Sequence, residues 1–291
     1  MPLKKSILGT IISIVVASLV SLAVSQNSID FFGIPFLLFC VLYSYAIHWI
    51  FFIHAYIAQT EHYFDAIGSI TFISLSIIVI SYMQNFYSIL IGALVSIWTL
   101  RLGTFLFKRI KKSGRDTRFT EMKKNFFWFF MTWNISALWV FLCYIAGLVA
   151  MTNKNSSEVN SENIIFIVIG VIFWVLGFSI EVISDYQKKV FREDINNKDK
   201  FISHGLWAWS RHPNYFGEII LWIGITIIAL PVFKGWDYIA LISPLFVYFL
   251  LVNVSGIPML EKSADEKWGD DPQYSDYKDK TSILFLKSPK D

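Results

Sequence analysis

The chain is poor in charge and nearly free of cysteine. Only 16% of its 291 residues are Asp, Glu, Lys or Arg, 55% are hydrophobic, and the mean hydropathy is +0.53. A soluble domain of ordinary composition carries about 25% charged residues, so that class is excluded and a membrane protein is expected. The two cysteines, Cys40 and Cys143, both fall inside apolar runs, which leaves a disulfide framework or a thiolate metal site nothing to build on. They read as packing residues. No zinc-type His or Glu spacing, no phosphate loop and no Gly-x-Gly-x-x-Gly fingerprint occurs. Neither a metal nor a nucleic-acid partner is expected.

What the chain has instead is long apolar runs. Crossing a hydrocarbon core of about 30 Å takes roughly 20 helical residues. Eight runs qualify, approximately 7–24, 34–58, 66–82, 86–107, 126–151, 163–184, 215–233 and 236–257. The third and seventh are short, and only Gln84 and Asn85 divide the third from the fourth, so seven spans is the alternative. The expected fold is all-α, a polytopic transmembrane helical bundle. Lys4 and Lys5 precede the first run as in a signal peptide, but no clear A-x-A-like site follows, and an uncleaved first helix is expected.

Orientation follows from the loops, because cytoplasmic loops carry the excess of Lys and Arg. With the N-terminus inside, the 108–125 loop holds eight such residues, the 185–214 loop six, and the C-terminal tail Lys262, Lys267, Lys278, Lys280, Lys287 and Lys290. The loops on the other side hold Lys154 and Lys234. Both termini are therefore expected in the cytoplasm. The basic residues that would hold a phosphorylated cofactor all lie on that side, where they equally serve to set topology and to meet anionic membrane lipids.

Ionisable groups inside spans are costly, and each is a functional candidate. Arg101 lies on the order of 10 Å inside the basic end of the fourth span, either as an interhelical ion pair or as a ligand contact. Glu181, Asp185, Lys188 and Arg192 are spaced 4, 3 and 4 apart, which makes one stripe on a continuous helix. Such a stripe satisfies itself with salt bridges or faces a polar ligand. The segment SRHPNYFGE (210–218) opens the seventh span. Pro213 suits the first helical turn, Asn214 and Glu218 share one face, and Arg211 and His212 sit at the helix mouth. Free backbone N–H groups flanked by cations make an anion site; the amide and carboxylate suit a polar ring. A plain N-cap with interfacial charge is the structural alternative. Trp207, Trp209, Tyr215 and Trp222 gather where a planar cofactor or a sterol-like substrate would lie. His48 and His54, six apart, read as helix-to-helix hydrogen bonds.

GLWAWSRHPNYFGEIILWIG (205–224) resembles the C-terminal signature of the DUF1295 family of steroid 5-alpha-reductase-like membrane proteins. LRLGTFLFKRIKKSGRDTRF (100–119), SDYQKKVFR (184–192), SGIPMLE (255–261) and YSDYKDKTS (274–282) follow the family's order. The resemblance covers about residues 30–285, with residues 1–29 as a preceding transmembrane helix. It implies a membrane oxidoreductase that binds NADPH from the cytoplasmic side and reduces an activated carbon–carbon double bond of a steroid-like or other lipid substrate. Carried over by position, Asn214 and Glu218 contact the nicotinamide amide, with Arg211, His212 and Tyr215 beside them. Asp185 and Arg192, with Arg101 and Arg115, serve the adenosine and phosphate part; Asp116 and Arg118 belong to the same segment.

The steroid-reducing members polarise the enone carbonyl with a Tyr and a Glu, which stabilises the developing enolate. Here the Tyr position holds Trp98, whose indole N–H is a donor but not an acid, and the Glu is Glu61 with Asp65 as alternative. Tyr63 and His62 are further candidates for the acid. A His-Pro core like Arg211-His212-Pro213 with a later Glu such as Glu261 also occurs in S-adenosylmethionine-dependent membrane methyltransferases of the isoprenylcysteine carboxyl and phospholipid type, which is the second reading. A transporter or structural protein with a degenerate site is the non-enzymatic third.

Overall fold

A computed structural model describes residues 3–114, 116–154 and 161–289. Eight helical segments among them are long and apolar enough to cross a membrane, and the chain is an integral multi-pass membrane protein. The seven-span alternative fails at Gln84 and Asn85. Gln84 ends α3 (Phe64–Met83) in the left-handed conformation. Asn85 opens α4 (Phe86–Ser113) with a capping box: its Oδ1 accepts from the Ser88 N–H at 2.7 Å, and its own N–H donates to Ser88 Oγ at 3.1 Å. Two polar residues thus end one helix and start the next.

The chain divides into two compact units. In the first, residues 1–164 and 229–243, α1 (Leu3–Ala23), α2 (Phe36–Ile57), α3 and α4 all pack against α5 (Phe126–Thr152). Every α5 residue from Val140 to Thr152 is buried, as suits a helix that is apolar all round. Lipid tails are as apolar as leucine, so helix association relies on close packing and interhelical hydrogen bonds. Here Ser13 Oγ meets the Tyr45 hydroxyl at 2.7 Å and donates to the Asn134 carbonyl at 3.0 Å, while Trp49 Nε1 donates to Asn134 Oδ1 at 3.1 Å. His48 bridges from Ser44 O (2.7 Å) to Ser136 Oγ (3.1 Å), a helix-to-helix contact as expected. Cys40 and Cys143 are free and buried. Between α1 and α2 lies a short hairpin, β1 (Asp30–Phe31) and β2 (Ile34–Pro35).

The second unit, residues 165–228 and 244–291, holds most of α6 (Ser161–Glu193), α7 (Leu206–Trp209), α8 (Pro213–Ala229), most of α9 (Ile242–Phe249), α10 (Ile257–Trp268) and α11 (Pro272–Lys280). Two glycine pairs, each seven residues apart, set the α6/α8 crossing. A methyl group on Gly177 would lie 2.5 Å from both the Gly217 carbonyl oxygen and the Leu221 nitrogen, and one on Gly170 2.6 Å from the Gly224 oxygen. Backbone rests on backbone here, which only glycine permits. Beyond α9 a π-turn (Leu250–Val254) leads to Gly256, whose added methyl would lie 2.9 Å from the Tyr215 ring. This close approach brings the start of α10 onto the start of α8.

Candidate functional site

The glycine crossing places charge inside an apolar helix pair. Glu181 and Asp185 follow Gly177 by one and two turns, while Asn214 and Glu218 flank Gly217. A methyl on Gly217 would lie 2.7 Å from the Glu181 nitrogen, so Glu181 is pressed against α8. Glu181, Asp185 and Glu218 are all buried, and Asn214 Nδ2 donates to Asp185 Oδ1 at 3.3 Å. Carboxylates this deep in a helix bundle are retained only with polar company. α6 continues to Glu193, so the stripe through Lys188 and Arg192 forms as the spacing predicts. Lys188 Nζ sits 4.1 Å from the centre of the Trp207 ring, and Arg192 is exposed.

At the mouth of α8 the sequence predicts an anion site, and the structure corrects it. Glu261 of α10 pairs with Arg211 (3.2 Å) and accepts from His212 Nε2 (2.8 Å). The Arg211 charge is therefore already matched within the chain. His212 is 4% exposed and stacks on Tyr215, with ring centres 5.7 Å apart. Burial holds its imidazole below the ordinary pKa, against the Glu261 carboxylate, which pulls the other way. The tail fastens this segment. Arg211 N–H donates to Ser282 O (2.8 Å), Ser210 Oγ to Leu284 O (2.8 Å) and the Tyr277 hydroxyl to Trp207 O (2.7 Å). The four aromatic residues named from the sequence divide: Trp207 and Trp222 are buried, Tyr215 joins His212, and Trp209 is exposed.

The remaining candidates belong to the first unit, except Arg115, which lies outside the described residues. Glu61 is 1% exposed, with Lys123 Nζ at 2.6 Å from one oxygen and the Asp116 N–H at 3.1 Å from the other. Burial works against its ionisation, but these donors and the Lys123 charge hold its carboxyl below the ordinary value. An ionised carboxylate accepts hydrogen bonds and cannot donate one to a carbonyl, so the geometry makes Glu61 a strut between two loops. Trp98 is buried in α4 against Phe72 (ring centres 5.5 Å apart). Phe72 is eight residues along α3 from its start, about 12 Å at the helical rise, so Glu61 and Trp98 do not form a pair. Arg118 is engaged bidentately with Asp116 and reaches Asp65 at 3.6 Å; Arg101 lies over the Phe105 ring at 5.4 Å. His62 bonds to Gly114 O at 2.9 Å, and Tyr63 is hydrogen-bonded to His54.

The glycine pairs are what the sequence reading missed, and their sevenfold spacing on two adjacent spans was the available signal. The Lys123 partner of Glu61, 62 residues away, has no local signal.

Fold and site together define an integral membrane protein with a polar, carboxylate-rich centre built into a glycine-packed helix pair. The family model described as "Protein of unknown function (DUF1295)" matches residues 50–281, and the chain belongs to this family. It is also similar to the "Probable O-methyltransferase ustE" of Ustilaginoidea virens, 28% identical over 109 residues, which are 34% of this chain and 36% of that protein. The chain thus spans about a third of the length of that curated relative. No solved structure matches.

Proposed function

We propose that the chain is a membrane reductase that uses NADPH to reduce an activated carbon–carbon double bond in a lipid-like substrate, with its basic loops and cofactor site on the cytoplasmic side. The observation that carries this reading is the buried Asp185–Asn214 pair with Glu181 and Glu218 at the α6/α8 crossing. The residues fit such a cofactor in one testable respect: Asn214 Oδ1 is buried and has no hydrogen-bond partner. Asn214 and Glu218 would hold the carboxamide of the ring, and Arg192 the 2'-phosphate, for which a guanidinium gives bidentate geometry. When bound, the dinucleotide supplies the hydride. The chain itself orients the ring through the α6/α8 crossing and keeps water from it by burial.

A second reading, an S-adenosylmethionine-dependent methyltransferase, is favoured by the Arg211–His212–Glu261 cluster and by the similarity to a probable O-methyltransferase. The two divide on one measurement. A ligand that binds only the folded state raises the unfolding midpoint, so NADPH and S-adenosylmethionine are each added to detergent-purified protein. Stabilisation by NADPH alone is expected; stabilisation by S-adenosylmethionine alone transfers the site to the second reading. Asn214→Ala and Glu218→Gln are expected to weaken NADPH binding about tenfold while the protein stays folded. Arg192→Ala is expected to weaken NADPH more than NADH, and equal weakening rejects its phosphate assignment.

A further inference from the structure

Three polar atoms at the mouth of α8 lack partners. Arg211 Nε, His212 Nδ1 and Asn214 Oδ1 are each buried without a hydrogen bond. Buried polar groups in folded proteins are nearly always paired, and an orphan costs its desolvation. Three orphans within four consecutive residues mark a place where a ligand supplies the partners.

Their chemistry is fixed by the bonds already made. Glu261 Oε1 is a carboxylate oxygen and accepts, so the His212 Nε2 that faces it at 2.8 Å carries the proton. Neutral imidazole has one N–H, and the lone pair is therefore on Nδ1. Burial keeps the ring in this neutral form at neutral pH. Asn214 uses its amide N–H on Asp185, which leaves the carbonyl oxygen as a second acceptor. Arg211 Nε is a donor.

We propose that this mouth binds a group that donates N–H to His212 Nδ1 and Asn214 Oδ1 and accepts from Arg211 Nε, namely a primary carboxamide or an amine on an aromatic ring. A phosphate does not fit, because its acceptor oxygens would face two lone pairs, and Glu261 already offsets the arginine. The inference rests on the nucleotide-cofactor reading and sharpens it: the mouth of α8 takes the uncharged ring end, with His212 as the residue that recognises its N–H.

The test uses full-length protein in detergent and calorimetric titration with NADPH and with its reduced 3-acetylpyridine analogue, in which an acetyl group replaces the carboxamide and no N–H remains. Wild type is expected to prefer NADPH about tenfold, the scale of one or two buried hydrogen bonds. His212→Ala is expected to erase the preference, and His212→Asn, which retains a carbonyl acceptor near the Nδ1 position, to keep most of it. The preference is also expected to shrink at low pH as the imidazole takes a proton on Nδ1. Equal binding of the two dinucleotides by wild type, or an unchanged ratio in His212→Ala, overturns the inference and leaves the NADPH reading standing. If S-adenosylmethionine binds instead, the NADPH reading falls, and the same contrast is drawn with an S-adenosylmethionine analogue dimethylated on the adenine amine; equal binding then overturns the inference. A protein that binds neither cofactor overturns both.

Discussion

The α5-centred unit and the α6/α8 pair hold their helices together by different means. Around α5 the contacts are side chain on side chain: buried aromatic rings such as Trp133, Phe129 and Phe52, and polar links such as Ser13–Tyr45 and His48–Ser136. Side chains have rotamers, so such contacts yield when one partner changes. At the α6/α8 crossing the contacts are backbone on backbone through Gly170, Gly177, Gly217 and Gly224. A helix backbone has no rotamer to offer. That rigidity fixes Glu181, Asp185, Asn214 and Glu218, as a site needs when its polar groups must meet a ligand at hydrogen-bond distance.

The sharpest way to break this contrast is to add one methyl group on each side of it. Gly177→Ala forces the Cβ to 2.5 Å from backbone atoms of α8, and a loss of about 3 kcal/mol or more is expected, at the upper end of overpacking costs. Gly68→Ala in α3 puts a Cβ 3.3 Å from the edge of the Trp139 ring. That ring needs to give only a few tenths of an ångström, and alanine's better helix propensity returns up to about 1 kcal/mol, so near-neutrality is expected. Unfolding of both variants in detergent measures the difference. Equal losses would mean that the two crossings are alike after all.

Charge provides the next comparison, since each unit buries one charged knot near a helix end. Lys123→Met leaves Glu61 buried without its cation. Lys123 is 25% exposed, so solvent screening reduces the expected loss to about 1–2 kcal/mol, below that of a fully buried pair. The pH dependences separate the knots. The Glu61 carboxyl is depressed from 4.5, so its stabilisation is complete above that value and is lost as pH falls through the lower folded value. The His212 imidazole is depressed from 6.5, so the unfolded state takes the proton first and stability falls as pH drops below 6.5. Denaturation followed against pH is expected to show both windows. Glu61→Gln should remove the acidic one and His212→Asn the one nearer neutrality; if either variant leaves the profile unchanged, that knot is not the titrating group.

Much of this was legible in the sequence wherever the physics is local. Span length and hydropathy gave the eight crossings. The cost of charge in lipid singled out Asp185, Asn214 and Glu218 before any partner was visible. What was hidden depends on residues far apart in the chain. Arg211 and His212 read as a cationic mouth because Glu261, 49 residues beyond His212, does not show its proximity in the sequence. Glu61 and Trp98 read as a catalytic pair by position in a family pattern, but Glu61 sits in a loop with Lys123 and Trp98 well along a helix with Phe72. The resemblance to the reductases located the α6/α8 face, and physical reasoning had reached the same residues independently.

The smallest expected effect tests whether every unpaired polar atom signals a ligand. Ser44 Oγ is buried within the α5-centred unit and has no partner, yet it differs from the orphans at the mouth of α8. Its neighbour His48 bonds to the Ser44 backbone carbonyl, not to the hydroxyl, and no second orphan lies within one turn of it on α2 among the described residues. An isolated orphan is a cost without a function, so Ser44→Ala removes a desolvated hydroxyl and keeps the His48 bond. Stability is expected to be unchanged or to rise by up to about 1 kcal/mol, measured by unfolding in detergent. His212→Ala removes an orphan acceptor too, but it also leaves Glu261 without a donor, so the same measurement is expected to show a loss. A loss in Ser44→Ala as large as that in His212→Ala would mean that orphan atoms are no guide to the site, and the case for the mouth of α8 would then rest on its charges alone.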